Sequence, residues 1–278
     1  MSRLRLLPDF PRPLVFAHRG LSSIAPENTM AAFALARELG VPGVELDVHL
    51  TADGKLAVFH DHFAGRVAGV AAGLGGLVSP GLPPGPAAKG RGLELERAAW
   101  AELRSLDIGS WKGAAYAGER IPLFRELLEE LGDRFYWDIE LKSRVAVDYG
   151  LESAVAGAIR DAGLVGRCLV SSFNPVSLAR FKSLEPRVPT ALIWSRDEEV
   201  PPYLRHGEGR WLGRVDALKP ERAKVNRLSS FRWSRVERYQ VLPWVVDDAA
   251  EATRLLGLGC EGVISNRPQD LRLPSAAR

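Results

Sequence analysis

Apolar and polar positions alternate with a period of two from Val44 to Val48, with Val44, Leu46 and Val48 on one face and Glu45 and Asp47 on the other. Residues two apart in a strand share a face. The apolar flanks predict a strand covered on both sides. Two carboxylates on one face of such a strand repel each other and are costly to desolvate without a cation. Asp53-Gly54 then marks a tight reversal, and Leu56-Ala57-Val58-Phe59 runs back. A turn centred on Asp53-Gly54 sets His60 across from Asp47.

Short apolar runs alternate with helical periods along the rest of the chain. Leu14 to Ala17 predicts a first strand ending at His18-Arg19-Gly20. Asn28 or Thr29 caps a helix through Phe33 and Leu35 to Leu39, with Gly40 at its stop. Strands are predicted over Phe135 to Leu141, Cys168 to Phe173, Thr190 to Trp194, Asp216 to Leu218, Val241 to Val246 and Gly262 to Ser265. Helices are predicted over Leu151 to Ala162, from Pro175 onward, and over Ala249 to Leu256. The strands at His18, Glu45, Glu140, Phe173, Trp194, Leu218, Trp244 and Ile264 point the same way. With helices between them they predict an α/β fold, a (β/α)8 TIM barrel, to which the return strand at Val58 is an antiparallel addition. An open doubly wound sheet fits less well, because no glycine-rich phosphate fingerprint follows the first strand.

The chain, 1–278, is expected to be one barrel domain with an insertion at about 62–97. Its centre, His62 to Gly92, is packed with Gly, Ala and Pro and has no period. It is either a small cap over the site or a disordered segment.

A hydrophobic content of 46% and a charged content of 26% are those of a soluble globular protein. No run of about 18 apolar residues offers a membrane span. Met1 to Pro13 lacks the apolar core of a signal peptide, so a cytoplasmic location is expected. Cys168 and Cys260 lie in apolar, strand-like contexts and read as buried free thiols. Arginine and lysine outnumber acids between Arg205 and Arg238. That is either a solvated face or a weak contact for anionic surfaces. No nucleic-acid motif is present. Oligomeric state leaves no mark on the sequence.

In a barrel the chemistry gathers where strands end. His18 and Arg19 follow the first strand, Glu45 and Asp47 lie on the second with His60 beside them, and Glu140 and Lys142 end the strand that also carries Asp138. Three inward carboxylates, Glu45, Asp47 and Glu140, with no cysteine ligand make a hard, oxygen-rich site suited to Mg2+ or Ca2+. His18 and His60 suit acid–base work near neutral pH. Arg19 and Lys142 are natural partners of a phosphate, although Lys142 could instead pair with Asp138 or Glu140. Together these groups fit phosphoryl transfer. His49 and His62 read as bystanders, and Asp53 and Asp61 as turn and orienting residues.

The motifs His18-Arg19-Gly20, Pro26-Glu27-Asn28-Thr29, Glu45-Leu46-Asp47-Val48, Thr51-Ala52-Asp53-Gly54 and His60-Asp61 resemble the glycerophosphodiester phosphodiesterase family. Arg120-Ile121-Pro122, Glu140-Leu141-Lys142, Ser171-Ser172-Phe173, Trp244 and Gly262-Val263-Ile264 extend the resemblance over nearly the whole chain. It implies a barrel of the phospholipase C-like phosphodiesterase type. Such an enzyme cleaves small-molecule glycerophosphodiesters to sn-glycerol 3-phosphate and an alcohol. By the same resemblance Glu45, Asp47 and Glu140 hold one divalent cation, and His18 and His60 form the acid–base pair. Arg19 and Lys142 contact phosphate, Phe173 and Trp244 line the substrate pocket, and Glu27 supports the site. Two departures stand out. Val245-Val246-Asp247 follows the tryptophan where the family usually has Thr and Asn, and Ser265-Asn266-Arg267-Pro268 stands for Thr-Asp-Arg-Pro. Neither falls on the implied metal or histidine positions, so both are expected to bear on the pocket wall and the alcohol released. A lysophospholipase D-type enzyme, or a barrel that binds phosphodiesters without turnover, are the competing readings.

Overall fold

The computed structural model describes residues 6–68, 92–195 and 205–271. In chain order its regular elements are β1 (Leu14–His18), α1 (Met30–Glu38), β2 (Gly43–Leu50), β3 (Leu56–Val58), α2 (Gly65–Ala68), α3 (Trp100–Arg104), α4 (Phe124–Leu131), β4 (Tyr136–Leu141), α5 (Leu151–Asp161), β5 (Cys168–Ser172), α6 (Pro175–Leu184), β6 (Thr190–Trp194), α7 (Gly209–Leu212), β7 (Ala217–Pro220), α8 (Arg227–Phe231), β8 (Gln240–Val241), α9 (Ala249–Gly257) and β9 (Gly262–Ser265).

The sheet runs β8-β7-β6-β5-β4-β2-β1-β9, every neighbouring pair parallel, with β3 paired antiparallel to β2 off this path. Backbone hydrogen bonds cross the remaining seam, from Glu261 to Val241 (3.0 Å), Ile264 to Pro243 (3.2 Å) and Val246 to Ile264 (2.9 Å). The chain is thus a near-closed parallel barrel of the TIM type. The strand expected over Val241 to Val246 is regular only at Gln240–Val241. Pro243 has no N–H to give the ladder, yet Leu242 and Trp244 still donate to Leu218 and Pro220 of β7.

Two faces explain the alternation in β2 and β4. Val44, Leu46, Val48, Trp137, Ile139 and Leu141 face outward into the main core, against Phe33 of α1, Leu127 of α4 and Val155 of α5. The inward positions change character along the barrel. Leu14, Phe16, Tyr136, Leu169, Ala191, Ala217 and Ile264 fill its lower end, which Leu6, Leu7 and Phe10 plug from below. Gly43 makes room for that plug: a Cβ there would lie 2.7 Å from the Phe10 ring and 2.8 Å from that of Phe16. Above this apolar layer the inward positions carry charge.

The β2–β3 turn corrects one expectation. The pairs Val48↔Val58, His49↔Ala57 and Leu50↔Leu56 place Phe59, not His60, across from Asp47, and Phe59 N donates to Asp47 O (3.0 Å). The loop holds five residues, Thr51 to Lys55, because Thr51 Oγ1 accepts from Lys55 N (2.9 Å) and donates to Asp53 Oδ1 (2.6 Å). His60 therefore lies one residue past the ladder.

The insertion departs from a defined stem. Phe63 bridges Glu94, Ala64 N donates to Leu93 O, and Leu95 N donates to His62 O. Phe59, Ala64, Leu93, Leu95 and Leu103 form a small core of their own around this stem. Residues 69–91, most of the proposed cap, lie outside the described residues. Cys168 and Cys260 are free and buried, as expected. No helix among the described residues is long and apolar enough to cross a membrane.

Candidate active site

Parallel register brings the acids together. Glu45 pairs with Asp138, and Asp47 with Glu140. One ligand oxygen from each of Glu45, Asp47 and Glu140 lies within 4.8 Å of the others, and all three residues are buried. Burial drives the Glu45 carboxyl well above its ordinary range, and the neighbouring Asp47 charge pushes it further. Asp47 is held low: burial opposes its charge, but Lys142, His60 and Arg19 outweigh it and Asn28 adds a hydrogen bond.

The cations are fixed by the same acids. Lys142 Nζ sits 2.8 Å from Glu140 and 3.4 Å from Asp47. Burial acts to lower the Lys142 ammonium, but Glu140 and Asp47 raise it. Lys142 thus pairs with Glu140 rather than Asp138. Arg19 adopts φ 55° and the following Gly20 φ 78°. A side chain in that left-handed region costs about 1–2 kcal/mol. The turn aims Arg19 N at Glu45 Oε2 (3.0 Å) while its guanidinium reaches Glu27 (3.0 Å) and Asp47 (3.4 Å). A Cβ on Gly20 would lie 2.8 Å from Ala32, so α1 packs directly beneath the turn.

Both histidines are held by their Nδ1 atoms. His60 Nδ1 is 2.6 Å from Asp61 Oδ1, which makes Asp61 the orienting residue expected. Asp61 is in turn held by Arg66 of α2, which also binds Glu27 (2.5 Å). His18 Nδ1 is 2.7 Å from Asn266 Oδ1. That amide is itself oriented, since its Nδ2 donates to Asp247 Oδ2 (2.8 Å) and its Oδ1 accepts from Ser22 Oγ (3.0 Å). His18 therefore carries its proton on Nδ1 and leaves Nε2 bare, 3.9 Å from Glu45 Oε2. Burial lowers the His18 imidazole well below its usual range, and Arg19 lowers it further. This corrects the reading of the two departures: Asn266 touches His18 directly, and Asp247 fixes Asn266. Phe173 and Trp244 meet edge to face, ring centres 5.8 Å apart, and Trp244 Nε1 donates to Lys219 O (2.9 Å).

Three further groups escaped the sequence reading. Lys219 of β7 is fully inside the barrel, 2.7 Å from Asp138 and 2.9 Å from Ser171 Oγ. Its signal was a lysine at the inward position of a short apolar strand. Asn28 does not cap α1; Thr29 does, accepting from Ala32 N (3.2 Å). Asn28 instead takes φ 57° and donates to Asp47 (2.8 Å). Glu96 binds both supposed bystanders, His49 (3.0 Å) and His62 (2.5 Å).

The residues fit a divalent cation. Glu27, Glu45, Asp47, Asp138 and Glu140 face Arg19, Lys142 and Lys219, so with every acid ionised, as a bound cation would favour, two negative charges are left among these groups. Asp47 Oδ1 is buried and accepts no hydrogen bond. The converging donors are all carboxylate oxygens.

A parallel barrel with this array at its strand ends defines a hydrolase of the phosphodiesterase class. The chain belongs to the glycerophosphoryl diester phosphodiesterase family, whose model matches residues 18–270. It is 32% identical over 262 residues to a glycerophosphodiester phosphodiesterase of Caldanaerobacter subterraneus subsp. tengcongensis, covering 94% of this chain and 96% of that one. It is 27% identical to a Bacillus subtilis glycerophosphodiester phosphodiesterase, covering 95% and 86%. Among solved structures it is similar to an Oleispira antarctica phosphodiesterase in complex with the product sn-glycerol-3-phosphate. That match has a TM-score of 0.73 and 28% identity, and covers 94% of this chain and 96% of that one.

Proposed function

We propose that this enzyme hydrolyses glycerophosphodiesters to sn-glycerol 3-phosphate and an alcohol by two-histidine acid–base catalysis, with Mg2+ or Ca2+ held by Glu45, Asp47 and Glu140. The convergence of three buried carboxylates between two oriented histidines carries this reading. When bound, the cation neutralises charge on the phosphoryl oxygens.

The chain's own residues supply the rest. Arg19 and Lys142 orient the phosphodiester through their N–H groups. His18, kept neutral with a bare Nε2, takes the proton of the glycerol 2-hydroxyl as it attacks phosphorus. His60, whose Nδ1 donates to Asp61, protonates the departing alcohol. A cyclic phosphate results, and water opens it with the two roles reversed. Phe173 and Trp244 wall the pocket, and Glu27 ties Arg19 to Arg66 at the root of the 62–97 insertion, which supports that segment as a cover of the site. A weak contact with anionic surfaces is supported by the exposed Arg227, Arg235 and Arg238 beside the exposed Leu228 and Phe231.

The test is hydrolysis of glycerophosphocholine with Mg2+ or Ca2+. We expect turnover that excess EDTA abolishes, and losses of about 10²–10⁴-fold in His18→Ala and His60→Ala. Near-normal turnover in either variant overturns the two-histidine scheme, and full activity in EDTA overturns the cation.

A further inference from the structure

We propose that His49, His62 and Glu96 form a second metal site, selective for a borderline ion such as Zn2+ or Co2+. His49 lies on the inward face of β2, two residues beyond Asp47, and is fully buried. Its Nδ1 is 3.0 Å from Glu96 Oε1, and His62 Nδ1 is 2.5 Å from the same oxygen. The two rings meet edge on, 4.9 Å between centres. One donor atom from each residue lies within 4.8 Å of the other two.

The contacts of His49 accommodate a cation. Its Nδ1 faces a carboxylate and its Nε2 faces the His60 carbonyl at 3.4 Å, so both ring nitrogens meet acceptors. A neutral imidazole has one N–H. A proton on Nδ1 leaves a lone pair against the carbonyl; a proton on Nε2 leaves one against the carboxylate. A cation against the carboxylate satisfies both, and Glu96 Oε2 also lies 3.7 Å from the Arg144 guanidinium. A metal ion at Nδ1 satisfies both contacts, with Nε2–H donated to the His60 carbonyl. An outer N–H given to a backbone carbonyl is the usual support of a metal-bound histidine.

The distances are close to those required. Donors about 2.0–2.1 Å from a tetrahedral ion lie roughly 3.3 Å from one another. The contacts at 3.0 and 2.5 Å therefore open by less than one ångström. Two imidazoles and one carboxylate favour Zn2+ or Co2+, whereas the all-oxygen set at Glu45, Asp47 and Glu140 favours Mg2+ or Ca2+. His62 and Glu96 flank the two sides of the insertion's stem. The ion would clamp that stem to β2 and fix the backbone that carries His60.

The inference does not depend on the hydrolysis proposed above, and its test does not read activity. Co2+ is titrated into the full-length Glu45→Gln/Glu140→Gln variant, followed by calorimetry and visible absorption. One ion should bind with the d–d bands of a nitrogen-ligated, low-coordinate site. Adding His62→Gln, which keeps a hydrogen-bonding side chain, should weaken that binding at least about tenfold. No binding, or binding that His62→Gln leaves unchanged, overturns the proposal. A measurement without the His62 substitution guards against misfolding: Zn2+ must perturb the 15N resonances of His49 and His62 Nδ1 in the Glu45→Gln/Glu140→Gln variant, and unshifted resonances overturn the site equally.

Discussion

Moving one carboxylate one step along a hydrogen-bond chain should retune the base. His18 Nδ1 donates to the Asn266 amide, which donates to Asp247. The paired substitution Asn266→Asp with Asp247→Asn exchanges the two groups and conserves net charge. The bonding reverses cleanly. Asp247 Oδ1 accepts from Ser265 Oγ (3.0 Å) and Asn266 N (2.7 Å), and an amide oxygen there can accept the same bonds. Asp247 Oδ2 now accepts from Asn266 Nδ2, and an amide nitrogen there can donate to the new carboxylate. His18 gains an anion at hydrogen-bond distance. With charge centres about 4 Å apart and an effective dielectric between 20 and 80, the imidazolium gains about 1–4 kcal/mol. At 1.36 kcal/mol per unit this raises its titration by about one to three pH units. A base acts in its neutral form, so raising its pKa moves the acidic limb of the kcat/KM profile to higher pH. Activity is lost between the old limb and the new one and kept above it. The assay pairs a kcat/KM–pH profile on glycerophosphocholine with NMR titration of His18. If His18 shifts by NMR while the limb stays in place, His18 is not the base. If His18 itself does not shift, its bond to residue 266 does not control it. The single change Asn266→Asp sets two carboxylates together and should give a smaller shift with lost stability.

Three other perturbations test the frame around the site. Asp61→Asn keeps a partner for His60 but removes its charge; we expect kcat to fall roughly 10-fold or more with little change in KM, read by steady-state kinetics. Lys219→Ala strands Asp138 inside the barrel and should cost about 3–5 kcal/mol in urea unfolding, while Lys219→Met with Asp138→Leu should recover most of it. Gly43→Ala drives a methyl group into the Phe10 and Phe16 rings; a loss of about 1–3 kcal/mol is expected by the same measurement, and an unchanged midpoint would refute the plugged lower end.

Local pattern made most of the barrel legible, and contact across the barrel hid the rest. The inward set Glu45, Asp47 and Glu140 could be read because each acid interrupts an apolar strand, and the period of two leaves one face available. Lys219 has the same pattern, but its strand is only Ala217–Pro220, too short to establish an alternation. Asn28 or Thr29 was expected to cap α1, and Thr29 does; the turn of Asn28 toward Asp47 stayed hidden because a capping side chain and one that holds a carboxylate are of the same type. The Asn266–His18 bond joins residues 248 apart in sequence, which no local spacing reports. Glu96 sits past the Gly-, Ala- and Pro-rich stretch of the insertion, so its approach to His49 depends on the stem closing.

The register of β2 and β3 shows how tightly the site constrains its scaffold. One residue of slip turns every side chain of a strand to its other face. The sequence reading set His60 opposite Asp47 in a regular ladder, and the true register has Phe59 there. Phe59 fills the small core at the insertion's stem, so the ladder position serves packing. His60 is released from the ladder and free to turn. Its direction is then set by Asp61, which Arg66 holds from the insertion's root, and by the His49 contact to its carbonyl. The proton carrier is thus aimed by Asp61 and Arg66 at the insertion's root rather than by the barrel strand. Changes in the insertion's stem should therefore reach the chemistry through His60 while leaving the three carboxylates where β2 and β4 put them.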